Sequence, residues 1–358
     1  MTNPIYTPPL VSPTATAAPR PSPSREVPFK FTGDASEYFR IWIVNLLLTV
    51  VTLGIYSAWA KVRTKQYFYR HTSIDGFSFD YLGDPIRILK GRILIAAALG
   101  VVALCQYSPV AYAISLVLLV LSTPWVLVKA LSFNARNSSF RNVRFVFQGT
   151  VGESYGVYLT CVLVQILTLG LGSPYVNFRQ HKFMAERHGY GAERFLYNRT
   201  ASEYFRVYVR SILISLPILV GFVLAIFLIS AGSDNKNPWL LVLLILPFYA
   251  ALLAPSAYLR AGLTNLLFDE LKVGPHTLHC HQRMRDLLRL YVENILALAC
   301  SLGLAFPWVR IRMARYKASV MNLVISGNLE VMALPSAGEP GAYGEAASDL
   351  GDFDFDVG

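Results

Sequence analysis

The chain has 358 residues, of which 54% are hydrophobic and only 15% charged, and its formal net charge is +10. An ordinary soluble domain carries about 25% charged residues, so this composition excludes a soluble globular protein of this size. Basic residues flank apolar segments along the chain, which indicates that anionic lipid headgroups, and not nucleic acid, are the counterpart of the positive charge.

Both ends of the chain are predicted to be disordered tails. Residues 1–28 are rich in Pro, Ser, Thr and Ala and lack the apolar core of a signal peptide. Residues 334–358 end in the acidic sequence Asp352-Phe-Asp-Phe-Asp356. That acidic end indicates either a solvated terminus or a segment that contacts the protein's own basic face.

Between the tails, long uncharged runs predict membrane segments, because about 18 or more apolar residues can cross a bilayer. The runs occupy residues 41–60, 110–128, 155–176, 211–231, 239–259 and 295–309. The predicted fold class is therefore an all-α polytopic membrane protein.

The chain repeats itself. Residues 31–68 match residues 147–184 without a gap, and a weaker third copy covers residues 291–317. Each copy has a small residue followed by Leu-Gly, then an aromatic residue and an arginine. The repeats predict a domain order of tail 1–28, membrane block 29–146, membrane block 147–275, partial third repeat 276–333 and tail 334–358.

A smaller unit explains why ASEYFR occurs twice, at residues 35–40 and 201–206. Aromatic residues at alternate positions precede a helix-capping residue. The pairs are Phe29/Phe31, Phe79/Tyr81, Phe145/Phe147 and Phe195/Tyr197, with His279/His281 as a degenerate fifth. Each pair predicts a short strand at the cytoplasmic face that leads into a helix, so ASEYFR is a helix start that the chain uses repeatedly.

The distribution of cations predicts the topology. The loop around residue 108 contains no Lys or Arg, and the loop 232–238 contains only one. The positive-inside rule therefore places these two loops in the periplasm and the other loops and both termini in the cytoplasm. Residues 41–60 and their copies then either re-enter the membrane or span it. In the re-entrant interpretation, Gly54, Gly170 and Gly303 are the helix breaks.

Three polar residues within apolar segments are candidates for a polar pathway: Glu293, Asn45 and Asn294. An ionisable side chain at membrane depth indicates function, but Glu293 lies close to Arg289 and could instead form an interfacial ion pair. The two asparagines occupy equivalent repeat positions and could equally hydrogen-bond between helices.

Arg63, Arg179 and Arg312 recur in register after the aromatic residues. Guanidinium groups bind phosphate through two hydrogen bonds, so these arginines are candidates for binding lipid headgroups or another anion. The alternative is ordinary anchoring of the topology by aromatic residues and cations.

No cofactor or metal site is predicted. His276, His279, Cys280 and His281 lack the second ligand pair that zinc sites require. No phosphate loop, HExxH, GxSxG or paired carboxylates occur, so the sequence does not predict an enzyme.

Three segments resemble a known family: EYFRIWIVNLLLTVVTLGIYSAWAKVR, NARNSSFRNVRF (134–145) and PWVRIRMARY (307–316). They are similar to the YjgN-like family of bacterial inner-membrane proteins, over roughly residues 29–331. The resemblance implies a multi-pass inner-membrane protein and supplies no mechanism, because the function of that family is unknown.

Two functions are expected. The first is the transport or binding of an ion, lipid or small solute between the repeats. The second is a structural or scaffolding role, in which the protein binds anionic lipid and recruits protein partners through its tails. A homo-oligomer is compatible with both functions.

Overall fold

A computed structural model describes residues 24–232 and 238–326, and within them the chain forms eleven strands and ten helices. The strands are β1 Arg25–Pro28, β2 Lys30–Phe31, β3 Thr72–Ile74, β4 Phe77–Tyr81, β5 Ser138–Phe140, β6 Val143–Phe147, β7 His188–Tyr190, β8 Glu193–Leu196, β9 Leu271–Val273, β10 His276–Cys280 and β11 Met321–Ile325. The helices are α1 Ala35–Val51, α2 Ser57–Arg70, α3 Pro85–Cys105, α4 Pro109–Asn137, α5 Val151–Leu167, α6 Ser173–Arg187, α7 Ala201–Gly232, α8 Pro238–Phe268, α9 Met284–Cys300 and α10 Phe306–Ser319.

The prediction of an all-α fold is wrong. The short strands form one continuous antiparallel sheet in the order β1-β11-β10-β9-β8-β7-β6-β5-β4-β3-β2. The two end strands are separated along the chain only by Phe29, whose N–H donates to the Met321 carbonyl at 3.1 Å. The sheet is therefore a nearly closed ring. No strand is longer than five residues, so each has a weak signal in the sequence, and at least one partner of each strand lies far away along the chain.

Five units of the form strand–helix–helix–strand build this ring, and β10 begins the fifth, at the predicted degenerate unit. Within each unit, a helical hairpin leaves one strand and returns to the adjacent strand. Successive units are joined by two-residue turns at 75–76, 141–142, 191–192 and 274–275. Because the strands are antiparallel, all five hairpins leave from one rim of the ring and all four turns lie on the opposite rim.

One face of the sheet is apolar. Side chains at alternate strand positions pack together, which is the period of two that the aromatic pairs predict. Buried members of this cluster come from strands around the ring: Val27, Phe29, Ile74, Phe140, Tyr190, Cys280, Met321 and Ile325. Burial of these side chains supplies the hydrophobic stabilisation that strands of two to five residues could not provide alone.

The helix starts follow the predicted capping chemistry. Thr150 Oγ1 accepts from the Glu153 N–H while the Glu153 carboxylate accepts from the Thr150 N–H, which is a reciprocal capping box. Asp34 caps α1 by accepting from Ser36 and Glu37. Each cap directs the chain from the sheet into a helix.

The hairpins are of two kinds. The long hairpins α3/α4 and α7/α8 contain four helices long and apolar enough to cross a membrane. The short hairpins α1/α2, α5/α6 and α9/α10 alternate with them. Each helix packs against its neighbours in chain order, and α10 also packs against α1. The helices thus follow the ring of strands, with the first and third short hairpins side by side.

Candidate functional site

The three short hairpins reverse direction through the same turn. In the first, the Gly54 N–H donates to the Thr49 carbonyl at 2.8 Å, and the Leu53 N–H donates to the Val50 carbonyl at 3.1 Å. These two bonds form a Schellman motif. The same pair of bonds recurs at Leu169-Gly170 and at Leu302-Gly303. Each predicted helix-break glycine lies in such a turn, with φ of 92°, 90° and 89° respectively.

The small polar residue before each Leu-Gly closes the turn. Thr52 Oγ1 donates to the Leu48 carbonyl at 2.7 Å and accepts from the Tyr56 N–H at 3.0 Å. Thr168 and Ser301 make the equivalent pair of bonds in the other hairpins. One hydroxyl therefore satisfies the last turn of one helix and the first turn of the next, which explains why Thr or Ser recurs at this position.

The leucine of each turn is at the tip of the hairpin. Leu53, Leu169 and Leu302 are 94%, 92% and 94% exposed. Their φ angles of 50°, 49° and 50° are unfavourable for a side chain with a Cβ. A bulky apolar residue is thus held three times in a strained conformation with its side chain almost fully exposed.

The three recurring arginines lie on the second helix of each hairpin, and their surroundings differ. Arg63 is exposed, and its guanidinium lies 5.8 Å from the centroid of the Tyr56 ring. Arg179 is half-buried and its Nε has no hydrogen-bond partner among the described residues. Arg312 donates to Glu293 Oε2 at 3.2 Å and to Asn294 Oδ1 at 3.4 Å. Arg312 is therefore paired with a carboxylate of its own hairpin.

Glu293 forms an ion-paired cluster at the surface. Arg289 Nε donates to its Oε1 at 2.7 Å, and the Glu293 side chain is 41% exposed between Arg289 and Arg312. The equivalent position in the first hairpin is Val44, which is 46% exposed and carries no charge. The structure thus places Glu293 in an ion pair with Arg289 and Arg312, and its role in a polar pathway stays a prediction.

The two asparagines differ in whether their side chains form a hydrogen bond. Asn294 is buried and accepts from Arg312. Asn45 is 5% exposed, and neither its Oδ1 nor its Nδ2 has a hydrogen-bond partner among the described residues. Since no hydrogen bond joins Asn45 to Asn294 or Glu293, the structure does not connect the three candidates into one pathway.

Sequence reasoning missed the seam between the first and third hairpins. Phe39 lies against Trp308 with ring centroids 5.2 Å apart, and the Arg310 guanidinium lies 5.5 Å from the Phe68 ring centroid. These residues are separated by more than 200 positions, so only the near closure of the ring brings them together. The repeated aromatic residues of the hairpins are the only signal that could have indicated this seam.

The histidine and cysteine residues around β10 are placed in the sheet. His279 Nδ1 lies 3.0 Å from Asp269 Oδ1. Cys280 is buried on the apolar face, where desolvation raises the pKa of its thiol to about 12. In the part of the chain that the structure describes, no group of three or more His, Cys, Asp or Glu residues has an arrangement suited to a metal ion.

Four apolar helices on a ring of short strands, with three exposed Leu-Gly tips, define a helical membrane protein. Residues 26–350 match the bacterial family described as "Bacterial protein of unknown function (DUF898)", and the chain belongs to that family.

Relatives of the chain carry a name that supports the same location. The "Inner membrane protein YjgN" of Salmonella typhimurium is 23% identical, with 87% of this chain and 91% of that protein covered. The Escherichia coli K12 protein of that name is 32% identical over 33% of this chain and 30% of its own length. No solved structure matches the chain. These relatives and the four apolar helices support an inner-membrane location.

Proposed function

We propose that the three short hairpins insert their tips into one leaflet of the inner membrane and that the protein binds anionic lipid headgroups there, chiefly at Arg63. The observation that carries this proposal is the arrangement of the first hairpin. It has an apolar tip that is 94% exposed, and an exposed arginine on the same hairpin that no carboxylate of the described residues pairs with.

The spacing within the hairpin fits a leaflet. Arg63 follows Gly54 by nine residues, which is about 13 Å along a helix at 1.5 Å per residue. Half of a hydrocarbon core about 30 Å thick is about 15 Å. A hairpin whose tip reaches the middle of the bilayer therefore holds Arg63 close to the phosphate groups. Arg179 and Arg312 have the same spacing from Gly170 and Gly303.

The leaflet is the cytoplasmic one in this proposal. The loop between α3 and α4 contains no Lys or Arg, whereas most cations lie on the helix ends and strands near the sheet. The positive-inside rule assigns the sheet, and with it β1 and β11 and both chain termini, to the cytoplasmic side. Anionic lipids of that leaflet attract each Lys or Arg by about 1 kcal/mol.

Transport between the repeats is supported less well than lipid binding. Glu293 is paired with two arginines at the surface. The Asn45 side chain forms no hydrogen bond to that cluster. The scaffolding role depends on the two tails, and both tails lie outside the described residues apart from 24–28. Neither the absence of an enzyme activity nor the oligomeric state is tested, and both stay predictions.

The test is retention of anionic lipid by the purified protein. Full-length chains are placed in nanodiscs of phosphatidylcholine with about one fifth phosphatidylglycerol, and the bound phosphatidylglycerol is counted by native mass spectrometry after extraction. We expect Arg63→Ala to reduce bound phosphatidylglycerol about three- to five-fold, since about 1 kcal/mol of attraction is lost.

Arg312→Ala is the matched control, because Arg312 is already paired with Glu293, and it should reduce the bound lipid less than two-fold. Arg63→Lys should lie between the wild type and Arg63→Ala, since it keeps the charge but not the planar pair of donors. Equal losses for Arg63→Ala and Arg312→Ala, or no loss for either, would contradict the proposal.

A further inference from the structure

A cleft of about 740 Å³ extends along β4, from the turn at residues 75–76 to Asp80. Its walls include Arg70, Phe77, Asp80, Ser139 and Arg141. A volume of this size is within the range of sites that hold small ligands or short peptide segments. The lining combines cations, hydroxyl groups and an aromatic ring that is 47% exposed at Phe77.

Arg141 is the unusual residue of the cleft. It occupies the first position of the β5–β6 turn with φ of 48°, where the other three turns have Asp75, Gly191 or Gly274. Left-handed φ is uncommon for a residue such as arginine, and outliers of this kind concentrate at functional positions. The guanidinium lies only 3.7 Å from the Phe77 ring centroid, so the turn holds a cation against an aromatic ring.

The charge of Arg141 is not balanced within the described chain. No carboxylate among residues 24–232 and 238–326 pairs with it, and its Nε is buried without a hydrogen-bond partner. Arg70 donates to Asp80 Oδ1 at 3.0 Å, and its side chain stays 58% exposed. The cleft therefore has a net positive charge beside an exposed ring, which suits a ligand with both carboxylates and aromatic groups.

The C-terminal tail contains such a ligand. Asp352-Phe-Asp-Phe-Asp356 alternates three carboxylates with two aromatic rings. We propose that this segment binds in the cleft, with its carboxylates on Arg141 and Arg70 and a phenylalanine ring against Phe77. Arginine and carboxylate form charge-assisted hydrogen bonds, and aromatic pairs add a modest contribution.

Strand β11 ends at the turn rim of the sheet, where one end of the cleft also lies. Ile325 at the end of β11 pairs with Arg25, and Arg25 Nη2 lies 2.7 Å from Asp75 Oδ2, next to the Gly76 wall of the cleft. Residues 327–351 link this point to Asp352. A flexible chain of that length has a root-mean-square reach of about 25–30 Å, so the cleft is within reach, and tethering gives an effective concentration on the order of millimolar.

The test uses a fluorescent peptide of residues 350–358 and fluorescence anisotropy with detergent-solubilised protein. We expect saturable binding to a chain that ends at residue 349. The intact chain should bind the peptide at least about ten-fold more weakly, because its own tail occupies the cleft at high effective concentration. A peptide with Asp352, Asp354 and Asp356 replaced by Asn should not bind.

Arg141→Ala in the truncated chain should weaken peptide binding about three- to five-fold, as expected for the loss of one partly exposed ion pair. Arg194→Ala removes an exposed cation of β8 that does not line the cleft, and it should leave binding unchanged. Equal binding to the intact and truncated chains, an equal effect of the two arginine variants, or no binding would overturn the proposal. ATP is added as a free anion that competes with the peptide. Equal ATP affinity of the intact and truncated chains would show that a free anion, and not the tail, occupies the cleft.

Discussion

The first and third short hairpins have the same backbone but differ in how their recurring arginine is paired. Both turn through Leu-Gly with nearly identical φ angles, and both carry an arginine nine residues after the glycine. In the third hairpin, Glu293 and Asn294 bind that arginine, whereas the first hairpin has Val44 and an unpartnered Asn45. Repetition has thus preserved the shape of the hairpin while the electrostatics of the two copies diverged.

Charging the two tips tests whether they share a solvent. Leu53→Asp and Leu302→Asp should each oppose membrane insertion by about 2.5–3.5 kcal/mol. Both side chains are almost fully exposed, so no packing within the protein is lost. Hydrogen–deuterium exchange in nanodiscs should rise at the altered turn in both variants, and Leu53→Met should behave as the wild type. A response at only one tip would break the equivalence of the two hairpins.

The dependence of stability on acid pH should differ between the first and second short hairpins. The His188 Nδ1 lies 2.6 Å from the Met184 carbonyl, and burial lowers the pKa of His188 to about 4. Its counterpart Thr72 donates to the Phe68 carbonyl at 2.8 Å and does not titrate.

As the pH falls below about 6.5, the unfolded chain binds a proton at His188 before the folded chain does. The stability from neutral His188 is therefore complete above that pH and is lost progressively down to about pH 4, by about 3 kcal/mol. His188→Thr should abolish this part of the acid destabilisation, measured as the melting temperature between pH 7 and pH 4. An unchanged acid dependence would show that other groups cause it.

Backbone strain should be the same in the two turns. A Cβ at Gly54 or Gly303 meets no atom within 4 Å, so Gly54→Ala and Gly303→Ala should cost only the strain of positive φ, about 1–2 kcal/mol each. The melting temperature should fall by a few degrees in both. Gly100→Ala, at a helical glycine that is equally open, is the control and should not destabilise the protein. Unequal losses at the two turns would contradict the shared geometry.

The smallest effect is expected from exchanging Val44 of the first hairpin and Glu293 of the third. Val44→Glu should pair with Arg63 and reduce phosphatidylglycerol retention two- to three-fold, whereas Glu293→Val should free Arg312 and increase it by a similar factor. The double exchange should restore a value close to the wild type. Identical responses to both single substitutions would show that the charge difference between the hairpins does not control lipid binding.

Local features of the molecule could be predicted because they depend on neighbouring residues. Thr150 and Glu153 form the capping box that their spacing indicates, and Gly54 lies in a turn because it takes up a φ that other residues avoid. The fold class could not be predicted, since the aromatic pairs indicate short strands such as Lys30–Phe31 but not the partners far along the chain that stabilise them.

The candidate site divides in the same way. The repeats alone show that Arg63 and Arg312 occupy equivalent positions. The bond from Arg312 to Glu293, and the exposure of Arg63 without such a bond, depend on how two helices face each other.

The sequence by itself determined the membrane class, the repeats, the helix starts and the turns, because hydropathy, capping and φ preference act within a few residues. Only the tertiary structure decided that the strands join into a nearly closed ring, that the first and third hairpins meet, and that a basic cleft forms beside the exit of the acidic tail. These features depend on hydrogen bonds and charge interactions between residues that are distant in the chain. Such interactions contribute to stability only once the ring has formed.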